Sequence, residues 1–496
     1  MGIEPIRVLY VSSEVYPLAK TGGLADVSSV LPSALRQLGV DARILMPAYS
    51  GVIEGLGGQP VGPPLRTLPD LEAVQLFQGT LPEALPGALT PVYAIGCASL
   101  YNRPGGPYVD THGGDWPDNA IRFGVLSKIA ALFGSGSGFE HWQPHIIHCN
   151  DWQAGLAPAY LAHDPEARAR SVVSIHNLAF QGNFSPDLLP VLGLPWACFH
   201  AHGVEFYGQI SFLKAGLYYA DHITTVSRRY AHEIQTPEFG FGLQGLLADH
   251  NNRLTGILNG IDADHWNPET DPYLSVHYGP GNLCDKARNK RLLQERLALA
   301  LEPHQPLLAL ITRLTYQKGI DLLLELAEEL LQQPLQLAVL GSGDKTYEAQ
   351  WRALAEEYPG QVGVTIGYDE QLAHLLEAGA DIFLMPSRFE PCGLNQMYSM
   401  RYGTLPVVRC TGGLADSVVD TTPRSLLDGR ATGFVFEGAN RAELLACILR
   451  TLLLYGDQHT WRRIQYNGMQ QDFSWSASAA QYLELYRQLL ADGRQH

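Results

Sequence analysis

The sequence predicts an α/β protein with two doubly wound parallel sheets. Short apolar runs alternate with helical stretches, and runs that are apolar on both faces are typical of parallel strands covered by helices. The candidate strands form two successive sets that divide near residue 253, which predicts two domains. The first set is Ile6–Ser12, Ala42–Met46, Pro91–Ile95, His145–Cys149, Ser171–Ile175 and His222–Val226. The second is Leu254–Leu258, Pro306–Thr312, Leu335–Leu340, Val362–Ile366, Asp381–Met385 and Leu405–Arg409.

Composition excludes several classes of protein. The chain has 496 residues, of which 46% are apolar, and its net charge of −16 disfavours nucleic acid and anionic membranes as partners. No uninterrupted apolar run is long enough to span a membrane, and Met1–Tyr10 lacks the apolar segment of a signal peptide. The seven cysteines are scattered without a CxxC pair, as expected of reduced thiols. We therefore expect a cytoplasmic protein.

A six-residue repeat marks one position in each predicted domain. Thr21–Asp26 and Thr411–Asp416 both read TGGLAD. Each copy follows a candidate strand and opens a candidate helix, so each places a Gly-Gly turn at the carboxyl edge of a sheet. Ligands bind at that edge in open α/β sheets. Two such edges facing each other would form an interdomain cleft.

In the first predicted domain, Lys20 precedes the first Gly-Gly turn. Glycines let a ligand approach the backbone, and helix N-terminal amides favour an anion. The spacing fits neither a Walker A loop nor GxGxxG, and a plain tight turn is the alternative. Asp151 and Trp152 follow one strand, and His176 and Asn177 follow the next. These side chains fit a sugar site, whereas a helix cap, a core aromatic residue and a structural histidine are the alternatives.

Metal ligands are not expected in either domain. His145 and His148 lie three apart on a strand, so their side chains point to opposite faces. Asp262 and Asp264 form a DxD pattern after the turn signal Asn259-Gly260. Carboxylates that cap the turn are favoured there over metal ligands.

In the second predicted domain, two strand-to-helix loops carry the chemistry. Arg313 and Lys318 share one loop that ends at Gly319. Two cations in one loop resemble a clamp for a diphosphate, and a solvated loop is the alternative. In the other loop, the amides of Cys392-Gly393-Leu394 begin a helix and favour an anion. Glu390 precedes them, where a carboxylate would offset positive charge on a sugar carbon. An ion pair with Arg388 or Arg401 is the structural alternative.

These motifs together resemble those of bacterial glycogen synthases and plant starch synthases. The matching segments are KTGGLADV, HCNDWQAGLAP, SIHNLAFQG, GILNGID, TRLTYQKG, PSRFEPCGLNQMYSMRYGTLPVVRCTGGLAD and DFSW, in order over nearly the whole chain. The resemblance implies a GT-B fold, with two Rossmann-like domains and the active site in an interdomain cleft. It also implies retaining transfer of glucose from ADP-glucose to the non-reducing end of an α-1,4-glucan. No cofactor and no metal are implied, and the oligomeric state stays open.

The resemblance also implies roles for individual residues and bounds for the domains. It makes Lys20 a ligand of ADP-glucose and gives the distal phosphate an amide from Gly22 or Gly23. It implies that Asp26 and Asn259 make polar contacts with ADP-glucose, and that Tyr368 stacks on the adenine. Arg313 and Lys318 would clamp the diphosphate. His176 would contact the transferred glucose, Asp151 would position the sugar, and Glu390 would be the cleft carboxylate. The domains would span 1–253 and 254–475, with a helix in 476–496 that crosses back to the first domain.

Three positions depart from the family pattern: Gln153, Arg228 and Asn395. Asn395 stands where threonine is usual, which would alter a phosphate contact. Two other functions stay open from the sequence: a UDP-glucose-dependent glucan synthase, and a non-catalytic glucan-binding protein on the same scaffold.

Overall fold

The computed structural model describes residues 4–81, 89–136 and 142–492. The chain divides into two units. The first comprises Met1–Val226, Ala231–Ile257 and Trp475–His496, and the second comprises Ser227–Tyr230 and Leu258–Ser474. No helix in the described ranges has the length and apolar character needed to cross a membrane.

The first unit is built on a nine-stranded sheet. Its strands, with those of a small sheet beside it, are β1 (Arg7–Val11), β2 (Asp41–Pro47), β3 (Gln59–Leu65), β4 (Val74–Thr80), β5 (Pro91–Gly96), β6 (Ile146–Asn150), β7 (Arg170–Ile175), β8 (Asn183–Phe184), β9 (Glu205–Phe206), β10 (Gln209–Ser211), β11 (His222–Thr225) and β12 (Leu254–Gly256). The large sheet has the order β12-β11-β7-β6-β1-β2-β5-β4-β3. The strands from β12 to β5 are parallel, whereas β4 and β3 add an antiparallel edge. Strands β8, β10 and β9 form the small antiparallel sheet.

Helices connect the parallel strands of this unit. They are α1 (Gly23–Gln37), α2 (Val52–Gly55), α3 (Ala98–Tyr101), α4 (Asn119–Ser135), α5 (Ala157–Ala162), α6 (Phe212–Tyr219), α7 (Arg228–Glu233) and α8 (Gln244–Asp249). The first residues of α7 belong to the second unit. The centres of the inner parallel strands are buried, which explains why their sequences read as continuous apolar runs; these strands are β1, β2, β5, β6, β7 and β11.

The second unit has a six-stranded, fully parallel sheet in the order β15-β14-β13-β16-β17-β18. Its strands are β13 (Leu307–Ile311), β14 (Gln336–Gly341), β15 (Val362–Ile366), β16 (Ile382–Met385), β17 (Leu405–Arg409) and β18 (Phe434–Phe436). Its helices are α9 (Lys286–Arg296), α10 (Ile320–Leu331), α11 (Lys345–Glu357), α12 (Glu370–Gly379), α13 (Asn395–Arg401), α14 (Gly412–Ser417), α15 (Pro423–Leu427), α16 (Arg441–Tyr455) and α17 (Gln458–Met469).

The last helix, α18 (Trp475–Ala491), belongs to the first unit. Its buried face joins Trp475, Tyr482 and Tyr486 to the apolar face of α1. The Tyr486 hydroxyl also lies 2.7 Å from Nδ1 of the buried His148 on β6. Residues 493–496 of the predicted segment lie outside the described residues.

The structure corrects the sequence analysis at one strand and adds others. The run Leu254–Leu258, assigned above to the second set, supplies β12, which pairs in parallel with β11 and so completes the first sheet. The first unit therefore runs to Ile257 rather than to residue 253. The sequence also missed β3, β4, β8, β9, β10 and β18. Strand β3 contains three prolines and is largely exposed at the sheet edge, so it lacks a buried-strand pattern.

Each large sheet has a topological switch point, where chain connections leave in opposite directions. In the first sheet it lies between β1 and β6, and in the second between β13 and β16. Loops that follow these strands at their carboxyl ends are the expected ligand-binding loops. They contain Lys20 and Asp151 in the first unit, and Lys318 and Glu390 in the second.

Candidate active site

A buried carboxylate organises the glycine loop that follows β1. Glu14 is only 3% exposed, and its Oε2 accepts hydrogen bonds from the amides of Thr21 and Gly22, the latter at 3.1 Å. Its Oε1 accepts a hydrogen bond from the Tyr108 hydroxyl. No sequence pattern singles out Glu14, because its hydrogen-bond partners surround it only in the folded loop.

Within this loop, the two glycines have different roles. The Gly22 amide is committed to Glu14, whereas the Gly23 amide, at the first position of α1, has no acceptor among the described residues. Lys20 Nζ lies 2.7 Å from Asp26 Oδ1, and both side chains are half exposed. Of the two glycines, Gly23 is therefore the one that retains an amide for an anion, and Lys20 stands beside it with an exposed charge.

His176 lies at the carboxyl end of β7 as a neutral hydrogen-bonding group. Its Nε2 lies 2.9 Å from Asn150 Oδ1, which also accepts a hydrogen bond from Tyr10 at 3.0 Å. Because Asn150 Oδ1 is an acceptor, Nε2 carries the proton and Nδ1 is left as an acceptor. Burial lowers the pKa of His176 to about 4, so the ring is uncharged at neutral pH.

Asp151 holds the turn that carries His176. Its Oδ1 accepts hydrogen bonds from the amides of His176 at 2.7 Å and Asn177 at 3.4 Å. Burial raises the pKa of Asp151 to about 7, against the effect of those amides. The backbone of Asp151 has a φ of 50°, which L-residues seldom adopt. The structure thus gives Asp151 a positioning role toward His176.

Neighbouring residues of the same two motifs are structural. Trp152 packs among Phe123, Phe184 and Phe212, which is the core aromatic role considered as the alternative above. His148 bonds to Tyr486 and, at 2.6 Å, to Ser174 Oγ. Trp152 and His148 therefore stabilise the packing around the carboxyl ends of β6 and β7.

In the second unit, the loops after β13 and β16 meet in an ion pair. Lys318 Nζ contacts Glu390 Oε2, and Ser387 Oγ donates to the same oxygen at 3.0 Å. The two charged side chains are 16% and 10% exposed. Arg388 instead makes a bidentate ion pair with Asp321, at 2.6 and 2.7 Å. The described partner of Glu390 is therefore Lys318, and not Arg388 or Arg401 as the structural alternative supposed.

Glycines permit the close approach of these loops. Gly319 has a φ of +68°, and a Cβ there would lie 2.2 Å from the carbonyl oxygen of Pro386. In the second TGGLAD segment, a Cβ on Gly412 or Gly413 would lie within 2.0 Å of the carbonyl oxygen of Glu390 or Cys392. The Gly-Gly turn of the repeat thus packs directly against the backbone that carries Glu390.

Amides at the start of α13 form an anion-binding arrangement. The backbone N–H groups of Cys392, Gly393 and Leu394 have no acceptor among the described residues, and Gly393 has a φ of +69°. Asn395 Nδ2 donates to the carbonyl of Ile311 at 2.7 Å. Asn395, one of the departures from the family pattern, therefore ties α13 to the end of β13.

The remaining predicted residues of this unit lie in different environments. Arg313 is exposed and forms no ion pair with a described carboxylate. Tyr368 is 86% exposed after β15, as a ring that stacks on a ligand would be. Asn259 is buried, and its Oδ1 has no partner among the described residues. Asp262 Oδ1 accepts the amides of Asp264 and His265, both at 3.0 Å, so it caps a turn as expected.

Comparison with known proteins identifies the family of this chain. Residues 7–249 match the family of starch synthase catalytic domains, and residues 294–469 match the glycosyl transferases of group 1. A glycogen synthase of Nitrosospira multiformis is 51% identical over 99% of this chain and 98% of its own length. One from Nitrosomonas eutropha is 52% identical, over 99% and 97%. The chain belongs to the glycogen synthase and starch synthase family.

A solved structure supports the same conclusion. The catalytic domain of starch synthase IV from Arabidopsis thaliana, bound to ADP and acarbose, has a TM-score of 0.85 and 32% identity, and the match covers 98% of this chain and 100% of that one. The predicted family, the GT-B fold and the predicted enzyme class are confirmed. The chain is a glucosyltransferase with glycogen synthase function.

Proposed function

We propose that this chain transfers glucose from ADP-glucose to the non-reducing end of an α-1,4-glucan with retention of configuration. The observation that carries the proposal is the contact of Lys318 with Glu390. Glu390 lies two residues before the amides that begin at Cys392, which have no acceptor among the described residues. This arrangement supplies positive groups that stabilise the departing diphosphate. It also supplies one negative group that stabilises the positive charge on the sugar from which the diphosphate departs.

The diphosphate is bound by Arg313, Lys318 and the amides of Cys392, Gly393 and Leu394. Arg313 is exposed and without a described carboxylate partner, so it can turn toward phosphate oxygens without breaking an ion pair. Lys318 exchanges part of its contact with Glu390 for the donor. The same groups stabilise the negative charge that grows on ADP as its bond to the anomeric carbon breaks. This role needs neither a metal nor an organic cofactor.

Glu390 acts on the sugar rather than on the diphosphate. As ADP departs, the anomeric carbon gains positive charge, and the nearby carboxylate stabilises that charge. Ser387 holds the carboxylate in place. A covalent glycosyl intermediate on the enzyme and a front-face attack assisted by the leaving phosphate both give retention, and both remain compatible with this carboxylate.

The remaining assignments concern recognition of the donor and the sugar. We assign Tyr368 to the adenine ring. We assign Asn259 to a polar contact with ADP-glucose through its Oδ1, which lacks a partner within the described ranges. In the first unit we assign Lys20 and the Gly23 amide to the distal phosphate. Asp26, the half-exposed partner of Lys20, makes a polar contact with the donor.

His176 recognises the transferred glucose by accepting a hydrogen bond from a sugar hydroxyl at Nδ1 of its neutral ring. The low pKa of His176 suits this role, because an uncharged imidazole does not oppose the positive charge on the sugar. Asp151 fixes the backbone of His176 and so positions the sugar indirectly.

An assay of the purified chain with glycogen as acceptor tests the proposal. Radiolabelled ADP-glucose and UDP-glucose are compared in the presence of EDTA. We expect a higher kcat/KM with ADP-glucose and label released by an α-1,4-specific exoglucanase. Equal or reversed donor preference would favour the UDP-glucose-dependent synthase instead.

A further inference from the structure

Three side chains of the second unit that the proposed function does not use converge near the start of α12. Glu370 and His374 are one helical turn apart on α12, and His265 comes from the turn that Asp262 caps. One nitrogen or carboxylate oxygen from each residue lies within 4.8 Å of those from the other two. His265 Nε2 is 3.5 Å from Glu370 Oε1.

The buried ring of His374 uses one of its two nitrogens for hydrogen bonding within the described part of the chain. The side chain is fully buried, and its Nδ1 lies 2.8 Å from Asp271 Oδ2. The same oxygen accepts a hydrogen bond from the Tyr402 hydroxyl at 2.6 Å. Because Asp271 accepts, Nδ1 carries the proton and Nε2 presents a lone pair. Nε2 has no hydrogen-bond partner among the described residues, which is costly for a buried polar atom.

This arrangement is the one that orients a metal-binding histidine. Ligating histidines characteristically donate their second nitrogen to a carboxylate, which fixes the tautomer and increases the basicity of the ligating nitrogen. Trp266 stacks on the His374 ring with centroids 3.8 Å apart and planes 9° from parallel. Asp271 and Trp266 therefore hold His374 in one orientation, with its lone pair directed away from the carboxylate.

The other two side chains can complete the coordination. His265 and Glu370 are 40% and 43% exposed, so they can adjust their rotamers and an ion can reach them from solvent. Ligand atoms around tetrahedral zinc are about 3.3 Å apart, given bond lengths of about 2.0–2.1 Å. The present separation of His265 and Glu370 is already close to that value.

We propose that His265, Glu370 and His374 bind a divalent transition-metal ion of the zinc class, with water at the fourth position. Two imidazoles and one carboxylate favour zinc and its neighbours over Mg²⁺ and Ca²⁺, which prefer sets of oxygen ligands. The bound ion would link the turn at Asp262 to the start of α12. The proposal does not depend on the proposed transfer reaction, and it departs from the expectation that neither domain carries metal ligands.

Zinc retention by the full chain tests the site. The protein is stripped with EDTA, loaded with Zn²⁺, dialysed against metal-free buffer and analysed for metal content. We expect about one zinc per chain for the native sequence, and affinity reduced about 100-fold or more in His265→Ala and in Glu370→Gln, since even loss of an outer partner costs about 10- to 100-fold. Both side chains are partly exposed, so these variants should fold, and circular dichroism checks this.

Two control variants separate the site from incidental binding. His304→Ala removes an exposed histidine elsewhere in this unit, and Cys284→Ser removes an exposed thiol. Both should retain zinc. Replacement of zinc by Co²⁺ should give the visible absorption of a tetrahedral site in the native chain and in both controls, but not in His265→Ala.

Three results would overturn the proposal. The first is no retained zinc in the native chain, which would leave His265 and Glu370 as a simple surface pair. The second is equal retention by His265→Ala and the native chain. The third is loss of zinc in Cys284→Ser with retention in Glu370→Gln, which would place the metal on the thiol.

Discussion

Replacing Glu390 with glutamine removes a charge that the proposed reaction needs mainly when the bond to ADP breaks. The substitution keeps the size of the side chain and a hydrogen-bond acceptor for Ser387. In the unliganded protein, Glu390 neutralises Lys318. Its loss leaves Lys318 more available to an anionic donor, so we expect ADP-glucose to bind as tightly as in the native chain or more tightly.

The expected effect on kcat follows from the position of this charge. Two unit charges about 4 Å apart interact by about 4 kcal/mol at an effective dielectric constant of about 20. Glutamine retains part of that stabilisation through its carbonyl dipole, and the developing charge on the sugar is less than one unit. We therefore expect kcat to fall by about 100-fold or more, within the range of about 10²- to 10³-fold seen when such an electrostatic group is removed.

Lys318→Ala should give a different pattern, because this cation contacts the diphosphate both before and during bond cleavage. Loss of one charge-assisted contact costs about 2–4 kcal/mol, or about 30- to 1000-fold in kcat/KM. That loss should be shared between KM and kcat. The variant also leaves Glu390 without its cation in a mostly buried position, so its thermal stability should fall.

Calorimetric Kd values for ADP-glucose, measured beside steady-state kcat, decide between these patterns. Glu329→Gln is the control, because it removes an exposed carboxylate that pairs with Arg441 elsewhere in the same unit. Equal losses of affinity and kcat in Glu390→Gln, or an unchanged kcat, would make Glu390 a structural partner of Lys318 and refute the reasoning.

Three further predictions concern the donor, metals and pH. Tyr368→Ala should raise KM for ADP-glucose by about 5- to 150-fold with little change in kcat, since stacking on a base is worth about 1–3 kcal/mol; an unchanged KM would contradict the stacking role. EDTA should leave kcat unchanged, because the proposed zinc site includes none of the residues assigned to transfer; strict dependence on Mg²⁺ or Mn²⁺ would instead implicate Asp262 and Asp264. Burial lowers the pKa of His148 from 6.5 to about 3, so the folded state binds fewer protons than the unfolded state in that window. The contribution of His148 to the free energy of unfolding is therefore fully present above pH 6.5. It falls as the pH decreases, by up to about 1.4 kcal/mol per pH unit. His148→Gln should be less stable at neutral pH but should show a shallower acid slope in urea unfolding, and an unchanged slope would contradict the buried, neutral state of His148.

The strands of the two large sheets were largely predictable because their apolar runs reflect burial on both faces. Strand Val362–Ile366 and strand Leu405–Arg409 have the predicted bounds, and the other predicted strands differ by a few residues at their ends. Strand β12 shows the limit of such patterns. Its composition suits either sheet, and only its hydrogen bonds with β11 assign it to the first. Strand β3 gave no signal because its prolines and exposure mark it as an edge.

For the candidate site, the sequence by itself identified the loops and the types of charge that they carry. Glycines, cations and carboxylates placed after strands are local features, so the sequence alone points to Lys20, Arg313, Lys318 and Glu390. Pairing between distant residues is not local. Glu390 pairs with Lys318, and Arg388 pairs with Asp321. These pairings depend on which strands are neighbours in the sheet.

Tertiary structure alone decided where buried polar atoms find partners and where they do not. Glu14 holds the glycine loop because that loop folds its own amides around the buried carboxylate. Asp151 fixes the turn of His176 because two neighbouring strands bring a distant amide to its carboxylate. The lone pair of His374 shows the opposite case, since packing buried it and supplied no donor from the part of the chain that the structure describes. Sequence spacing indicates which residues share a face of one strand or helix. Hydrogen bonds and ion pairs depend on distances between side chains, and only the packed chain defines those distances.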